Sequence, residues 1–552
     1  MLIFSSYRYI IISSKEEISM DIPANAKMQT ISGKKYVFID TPYWNAEKHR
    51  GEHKRRYIGK IVEGQFVPNG KYLLSLKKSG TIKPGPAPAT ECKRQFYGAT
   101  YLLDQIGDKL GIVDDLKASF PDKYKQLLSL AYFFVLEEGM SAYRLRKWAL
   151  THKHPYGRDI PSQRISELMG SIDEASKMNF FRRQARRRAE KEFLAFDTTS
   201  ISSYSELIKF AKYGKNKEGD HLPQINLALL YGEVSRLPVY FRKLTGNTAD
   251  VSLIRNLMLD IDFLDMKKLS FVMDRDFYSE KNINDLMKHH HKFLIGIRCG
   301  LKIARKHIDE IRGEKLVSWE NYHDEVGLYA MSFTDEWDYK EEQPRTGKCI
   351  CDKRRVYVHI YFNDQRCTDE RLSFAKYLTC LQDELKSGKK VEGHLKDYDK
   401  YFVVSETPKK GLHIIPNGDA IREHQRDFGY FVLLSNGIKD PEEAIKLYRV
   451  RDLIEKAFAN LKERLDMRRM SVSSSENFEG KLFVQFLALI YLSYIKKQMD
   501  EKGLYKKYTM QTLLDDLDII ELYQQPGRAH HLSEITKKHM ALYDAMGVPI
   551  PK

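Results

Sequence analysis

The sequence predicts a multi-domain protein of the mixed α/β class with a mixed β-sheet at its centre. The first observation is the length of 552 residues, which is enough for several domains of ordinary size. The second is a composition of 42% hydrophobic and 30% charged residues, which excludes collagen-like and disordered chains. The third is the order of strand-like and helix-like patterns after residue 190, which runs β, β, β, α, β, α, β.

Residues 1–90 are predicted to form a basic N-terminal region with short strands and a linker. Alternating apolar residues in KYVFID and RYIGKIVEGQFVPN indicate strands, and the basic, turn-rich segment NAEKHRGEHKRR separates them. The segment SGTIKPGPAPAT (79–90) contains three prolines and two glycines, a composition typical of a linker.

Residues 91–190 are predicted to form a helical region that binds DNA. Its last segment, NFFRRQARRRAEKE, contains an arginine cluster that could contact phosphate groups. The candidates are Arg182, Arg183, Arg186 and Arg187. A solvated helix face whose arginines pair with nearby acids explains the same pattern equally well.

Residues 191–298 are predicted to form the first part of a central core. EFLAFDTTSI (192–201), QINLALLYG (224–232) and LPVYFRKLTG (237–246) indicate three successive strands, and a helix follows up to Leu264. The order is completed by a strand in LSFVMD (269–274), a helix that starts near Ser279, and a strand in KFLIGIR (292–298).

The remaining residues divide into an insertion and the rest of the core. Residues 299–425 contain the strand-like pieces VYVHIYF and KYFVVSE and are too many for a structureless connection, so they indicate an inserted, β-rich subdomain. In residues 426–552, FGYFVLLSN indicates a further strand and residues 441–469 one long amphipathic helix. The apolar run 482–495 has 14 residues, short of the ~20 that span a bilayer, and indicates a buried helix.

The net charge and the cysteine content indicate the kind of partner and the cellular compartment of the protein. The chain has 91 Lys and Arg against 75 Asp and Glu, a net charge of +16 that favours a polyanionic partner without choosing between nucleic acid and an anionic membrane. The lack of a spanning segment removes the membrane interpretation. Six irregularly spaced cysteines indicate reduced thiols and therefore a cytoplasmic location.

Two acidic residues at the predicted ends of strands are the first candidates for chemistry. Asp197 follows the apolar run FLAF, and Asp274 follows LSFVM. Carboxylates at the ends of neighbouring strands can converge on one point and hold a divalent cation through oxygen. Each aspartate taken alone is also a common turn former or helix N-cap.

The predicted helix 441–469 adds a third acid and three other polar groups. On an ideal helix Tyr448, Arg451, Glu455 and Lys462 fall within an arc of about 60°. Such a stripe is often a plain ladder of ion pairs. The same groups would also suit a phosphodiester site, where a carboxylate holds metal while Arg and Lys contact phosphate oxygens.

These residues resemble a known family. The spacing Tyr448-x2-Arg451-x3-Glu455-x6-Lys462 is similar to the Tyr-Arg-Glu-Lys signature of bacterial insertion-sequence transposases with an Asp-Asp-Glu triad. FDTTSIS and VMDRDFYSEKN resemble the first and second acid motifs of that group, and LTGNTAD resembles the segment between them. The second motif more often reads Asp-Arg-Gly, whereas Asp276 stands in the glycine position of this chain.

The resemblance implies a ribonuclease H-like core with helices on both faces of the sheet. In that core the two aspartates, Asp197 and Asp274, come from the first and fourth strands, and Glu455 comes from a helix after the insertion. The three acids would hold two Mg²⁺ ions, for which Mn²⁺ could substitute. Tyr448, Arg451 and Lys462 would contact the DNA of the element ends near the cleaved phosphate.

The implied function is a DNA transposase that cuts the ends of its insertion element and joins them to target DNA. A cut-and-paste route with a hairpin intermediate, a homodimer in the synaptic complex, and a place near the bacterial or archaeal nucleoid follow from the same resemblance. Residues 35–190 would recognise the element ends. Two alternatives remain at this point: a ribonuclease H-like nuclease that does not join strands, and a non-catalytic DNA-binding remnant or repressor.

Overall fold

The computed structural model describes most of the chain, and its described residues group into two compact units. The described ranges are 22–45, 48–62, 64–78, 92–188, 192–203, 210–214, 222–247, 253–264, 266, 268–342, 349–407, 411–465, 469–470, 474–525 and 529–552. The first unit is the described part of Met1–Lys93 with Tyr523–His531, and the second is Arg94–Leu522 with Leu532–Lys552. The predicted linker 79–90 lies outside the described residues, and the predicted five-part division of the chain stays a prediction.

The first unit contains a four-stranded antiparallel sheet in the order β1-β2-β3-β4 and one helix. The elements are β1 (Ala26–Ile31), β2 (Lys34–Asn45), β3 (Arg50–Val62), β4 (Gln65–Pro68) and α1 (Gly70–Lys78). Its small core includes Val37, Ile58, Phe66 and Tyr72.

The basic segment between the two predicted strands of this unit is more regular than its composition indicated. Strands β2 and β3 extend into NAEKHRGEHKRR from both sides, so most of its described residues are paired rather than turn. Glu52 explains this difference, because it accepts hydrogen bonds from Tyr43, Asn45 and Arg50. These bonds lower the pKa of Glu52 to about 2, with the one from Asn45 contributing most.

The second unit begins with strand β5 and a set of helices, as the sequence predicted for residues 91–190. The elements are β5 (Lys93–Phe96), α2 (Gly98–Lys109), α3 (Ile112–Ser119), α4 (Tyr124–Leu136), α5 (Leu145–Thr151), α6 (Ser162–Gly170) and α7 (Glu174–Arg188). Buried residues of α4 and α7 belong to a large hydrophobic core that also includes the central sheet.

The predicted order β, β, β, α, β, α, β after residue 190 is confirmed. The elements are β6 (Phe193–Ser203), β7 (Gln224–Gly232), β8 (Pro238–Thr245), α8 (Leu253–Phe263), β9 (Ser270–Met273), α9 (Glu280–Lys288) and β10 (Lys292–Ile297). Strands β6, β7 and β8 are antiparallel neighbours, whereas β9 is parallel to β6 and β10 is parallel to β9. The mixed α/β class is therefore confirmed.

Residues 299–435 add both strands and helices to this core. The elements are α10 (Lys302–Ile311), β11 (Tyr322–His323), β12 (Leu328–Glu342), β13 (Cys349–Phe362), α11 (Asp364–Ser387), α12 (Leu395–Tyr401), β14 (Phe402–Thr407), β15 (Gly411–Pro416), α13 (Gly418–Gln425) and β16 (Tyr430–Ser435). Strands β12 and β13 extend the central sheet, while the segment from α11 to α13 has its own small core. Among the described residues the central sheet has the order β11-β12-β13-β16-β10-β9-β6-β7-β8.

The chain ends with a second group of helices. The elements are α14 (Pro441–Tyr448), α15 (Arg451–Glu463), β17 (Arg469–Met470), α16 (Ser475–Glu501), α17 (Met510–Asp518), β18 (Glu521–Gln524), β19 (His531–Leu532) and α18 (Lys537–Ala545). The short strand β17 pairs with β6.

The single helix predicted over residues 441–469 is wrong in two respects. It is divided into α14 and α15, because the backbone hydrogen bonds around Val450 tighten to an i→i−3 pattern. Arg469, the last residue of the predicted helix, is paired with Ser202 of the central sheet instead of being helical.

Helix α16 is the core helix that the apolar run 482–495 predicted. Among the described helices of 18 residues or more, it alone is apolar enough to cross a membrane by length and composition. However, 94% of its most apolar window is buried inside the protein. It packs against α4, α6, α15 and β8, so it contacts both the helical region and the sheet.

Candidate active site

Two aspartates lie side by side where two neighbouring parallel strands, β6 and β9, stop pairing with each other. Phe196 of β6 is paired with Met273 of β9, and the next residue along each chain segment is an aspartate. Asp197 is only 8% exposed, and its carboxylate accepts a hydrogen bond from the backbone N–H of Thr198 at 2.7 Å. The sequence prediction that both acids follow buried strands is correct for Asp274, which comes directly after β9. It is wrong for Asp197, which lies inside β6 and is paired with Leu229, because the strand continues through the mostly polar residues 198–203.

Asp274 initiates the short 3₁₀ helix Arg275–Phe277 by accepting a hydrogen bond from the N–H of Arg275 at 2.6 Å. Asp276 lies within that turn and is not among the described residues with positive φ. The conformation therefore does not require a glycine at this position, and the departure from the more common Asp-Arg-Gly motif creates no backbone strain.

Tyr448, Arg451 and Glu455 form a connected group around Asp274. The Tyr448 hydroxyl donates to Asp274 at 3.3 Å, and Arg451 donates to the Tyr448 oxygen at 3.0 Å. The same guanidinium lies 3.2 Å from the Asp274 carboxylate and 3.4 Å from the Glu455 carboxylate. Four of the residues that the sequence singled out are therefore joined by direct contacts, and Asp197 lies on the adjacent strand.

Burial and charge set the protonation of this group. The pKa of Tyr448 is raised to about 12 in all, mainly by burial, while Arg451 lowers it and the Asp274 charge raises it, so the phenol keeps its proton at neutral pH. Burial lowers the pKa of Arg451, but the charges of Tyr448, Asp274 and Asp197 more than compensate, and the net shift is upward. Arg451 is therefore a fixed positive charge among the acids.

Gly296 of β10 is the residue that allows Tyr448 to reach Asp274. A Cβ atom at position 296 would lie 2.7 Å from the Tyr448 hydroxyl oxygen and 3.3 Å from the Arg275 nitrogen. The sequence analysis did not select Gly296, although a glycine inside the strand pattern KFLIGIR signals a close approach of another group.

The other residues predicted to contact DNA lie outside the group around Asp274. Lys462 lies on α15 seven residues beyond Glu455. Arg187 on α7 forms a two-pronged ion pair with buried Asp115, at 2.9 and 2.8 Å, and Arg182 donates to the carbonyl of Phe263. Both arginines therefore have internal partners that the charge pattern did not reveal.

Arg183 and Arg186 complete the arginine cluster on α7. Both side chains are exposed at the surface. The DNA-contact role of the whole cluster stays a prediction.

The acids offer the hard oxygen ligands that Mg²⁺ prefers. In the described part of the chain no three His, Cys, Asp or Glu side chains are grouped closely enough to hold a metal ion. Arg451 accounts for this, because its guanidinium contacts both Asp274 and Glu455 and takes the place of a cation between them. The donor set fits a divalent metal chemically, and Arg451 would have to withdraw from the two carboxylates to admit one.

Comparison with known proteins identifies the family of this chain. A family model described as Transposase DDE domain matches residues 188–491, which is more than half of the chain. Among solved structures, the chain is similar to the cryo-EM structure of the piggyBac transposase synaptic complex with hairpin DNA, with a TM-score of 0.33 and 11% sequence identity over 75% of this chain and 70% of that chain. A search of curated proteins finds no match. Because the family model spans strands β6 to β10, both aspartates, the group around Arg451 and most of α16, this chain belongs to the family of transposases with a DDE domain.

Proposed function

We propose that this protein cuts the ends of its own insertion element and joins the free 3′ ends to target DNA by metal-dependent phosphoryl transfer. The observation that supports the proposal most directly is the contact group in which Asp274, Tyr448, Arg451 and Glu455 meet beside Asp197. We further propose that strands β6 to β10 of the central sheet form a ribonuclease H-like core.

The three acids would be the metal ligands of this site. Asp197 would hold the ions from within β6, Asp274 from the end of β9, and Glu455 would reach them from α15. When bound, two Mg²⁺ ions would supply positive charge that favours an ionised attacking oxygen and the departing 3′ oxygen. Mn²⁺ has similar ligand preferences and would substitute.

Tyr448 and Arg451 would bind the phosphate that is cut. The high pKa of Tyr448 keeps its hydroxyl available as a donor to a non-bridging oxygen. Arg451 carries a buried Nε–H that has no hydrogen-bond partner among the described residues, so the guanidinium retains donor capacity. Lys462 would contact the backbone farther along the same strand, and Arg183 and Arg186 would contribute to binding of the element end.

The proposed route is cut-and-paste with a hairpin intermediate, carried out by a homodimer that pairs two element ends. These features rest on the resemblance of the Tyr-Arg-Glu-Lys spacing. The protein would act in the cytoplasm of a bacterium or archaeon, close to the nucleoid.

A cleavage and joining assay tests the proposal. The protein is incubated with labelled duplexes of the inverted repeats that flank its reading frame, a target plasmid and Mg²⁺. We expect cut ends and joined product from the unmodified chain and neither from Asp274→Asn, which keeps the shape of the side chain. Asp276→Asn is the matched control, because Asp276 lies two residues away, is exposed, and contacts none of the other acids.

Three results would contradict the proposal. Cleavage without joined product would indicate a nuclease that does not join strands. Binding of the ends without cleavage would indicate a DNA-binding remnant. Equal cleavage by Asp274→Asn and the unmodified chain would show that the assigned triad is wrong.

A further inference from the structure

An open cleft of about 570 Å³ adjoins the candidate active site on the side of strands β10 and β16. Its walls include Asp274, Tyr448 and Arg451 at one end and Arg366 and Asp427 at the other. This volume is much larger than one phosphate group and falls in the range of about 300–1,000 Å³ found for ligand pockets. The cleft can therefore accept a ligand that continues beyond the phosphate at Asp274.

The charge of this cleft is predominantly positive. Arg275 and Arg298 line it, are exposed, and have no side-chain partner among the described residues. The negative charge of Asp427 is already compensated, because Arg305 binds it at 2.8 and 3.0 Å and Arg312 at 3.2 Å. Two guanidinium groups are therefore free to bind an anion beside the acids.

Arg366 has a different part in the cleft. Its guanidinium donates to Glu370 at 2.8 Å, and Glu370 also accepts from the N–H of Gly429. Arg366 adds positive charge to the wall, but its bond to Glu370 lies within α11, and it is Glu370 that connects α11 to Gly429 before β16.

The position of the cleft in the sheet indicates which DNA would occupy it. Strand β9 lies between β6 and β10, and α15 packs against β6. A DNA strand whose phosphate lies at Asp274 and which passes over α15 on one side must continue over β10 and β16 on the other. Tyr448, Arg451 and Lys462, the residues proposed to bind the element end, all belong to α14 and α15.

We infer that the cleft lined by Arg275 and Arg298 binds the backbone of the target DNA. This inference rests on the proposed function. Contacts from guanidinium groups to phosphates carry no sequence information, which suits a partner that is not defined by sequence. The part of the cleft at Arg275 and Arg298 thus serves the joining step, whereas Tyr448 and Arg451, which also line the cleft, serve the element end together with Lys462.

The first test measures binding of the full chain to a labelled duplex of arbitrary sequence, without divalent metal. The double variant Arg275→Ala/Arg298→Ala is compared with Arg355→Ala, which removes an exposed arginine from β13 of the same sheet. We expect the double variant to bind at least about fivefold more weakly. The slope of the logarithm of its binding constant against the logarithm of the salt concentration should become less negative by about two, since each phosphate contact contributes about 0.9 to that slope. The control should bind as the unmodified chain does, and an unchanged slope in the double variant would overturn the inference.

The second test separates target DNA from the element end. Pre-cut element ends are supplied in excess, and joining is measured against target concentration. We expect the half-saturating target concentration to rise at least about fivefold in the double variant, with most of the joining rate recovered at high target concentration. A fall in the rate at all target concentrations with no shift in half-saturation would assign the cleft to the element end and overturn the inference. If the unmodified chain joins nothing, the proposed function fails, while the binding test still decides whether the cleft holds DNA.

Discussion

At the scale of single residues, the candidate site depends on a glycine that carries no functional group. Gly296 leaves the space in which the Tyr448 hydroxyl approaches Asp274, and a Cβ atom there would come within 2.7 Å of that hydroxyl. The side chain of Tyr448 can move away from such a contact, but only by leaving the position from which it donates to Asp274. Gly296 is therefore a positioning residue.

The change Gly296→Ala should lower the rate of end cleavage by about 10- to 100-fold, because misplacement of a reacting group by a fraction of an ångström has effects of this order. Cleavage of labelled element ends measures the rate, and thermal unfolding checks the fold. Gly300→Ala is the matched control, since a Cβ atom at position 300 would meet only Arg305, at 3.8 Å. Full activity of Gly296→Ala would show that Tyr448 does not need this position.

The residues of the site differ in how far the sequence could locate them. Asp274 follows an apolar strand, and this local pattern places it correctly at the end of β9. Asp197 follows an apolar run too, but β6 continues beyond it to Ser203, because pairing with β7 holds polar residues in the strand as well. The ion pair between Arg187 and Asp115 joins residues that are 72 positions apart, and no local pattern reports such a pairing. An arginine cluster in a sequence therefore does not reveal which of its members have internal partners.

At the scale of elements, strands were easier to predict than helix ends. Strand β7 covers the same nine residues that the short, mostly apolar segment QINLALLYG indicated, because this signal is local. The division between α14 and α15 depends on a few backbone hydrogen bonds that the apolar period does not report. The pairing of β13 with β16 joins segments about 70 residues apart, so the sequence indicated an insertion without showing that it extends the central sheet.

The packing of three helices creates a buried acid whose ionisation should affect stability. Asp104 of α2 accepts a hydrogen bond from Tyr132 of α4 at 2.8 Å, and Tyr132 stacks edge-on against Tyr491 of α16. Burial raises the pKa of Asp104 to about 6, although the Tyr132 bond lowers it. The folded protein therefore holds a proton on Asp104 more tightly than the unfolded chain does.

It follows that Asp104 destabilises the fold increasingly as the pH rises from about 4 to about 6, by at most about 3 kcal/mol above that range. The change Asp104→Asn should raise the unfolding temperature at pH 7.5 and have little effect at pH 4, because the neutral amide can still accept from Tyr132. Thermal unfolding at both pH values measures this difference. Asp114→Asn, an exposed acid on α3, should shift neither value. A gain at pH 4 equal to that at pH 7.5 would contradict the explanation by ionisation.

At the scale of the whole molecule, the net charge of +16 predicts how DNA binding responds to salt. If 6 to 10 phosphates are contacted, the logarithm of the binding constant should fall with the logarithm of salt concentration with a slope of about −5 to −9. Fluorescence anisotropy of a labelled duplex measures this slope. The KCl concentration is varied from about 50 to about 300 mM, a range that includes physiological ionic strength. A slope near zero would show that the surplus of basic residues does not contact DNA.

Helix α16 belongs to the cores of both the helical region and the central sheet, since it packs against α4 and α6 as well as against β8 and α15. A chain cut near residue 190 would leave each part with an apolar surface that nothing fills. Replacing residues 91–190 as one module would therefore disturb the core that they share with the sheet, whereas substitutions of their exposed side chains would leave that core intact.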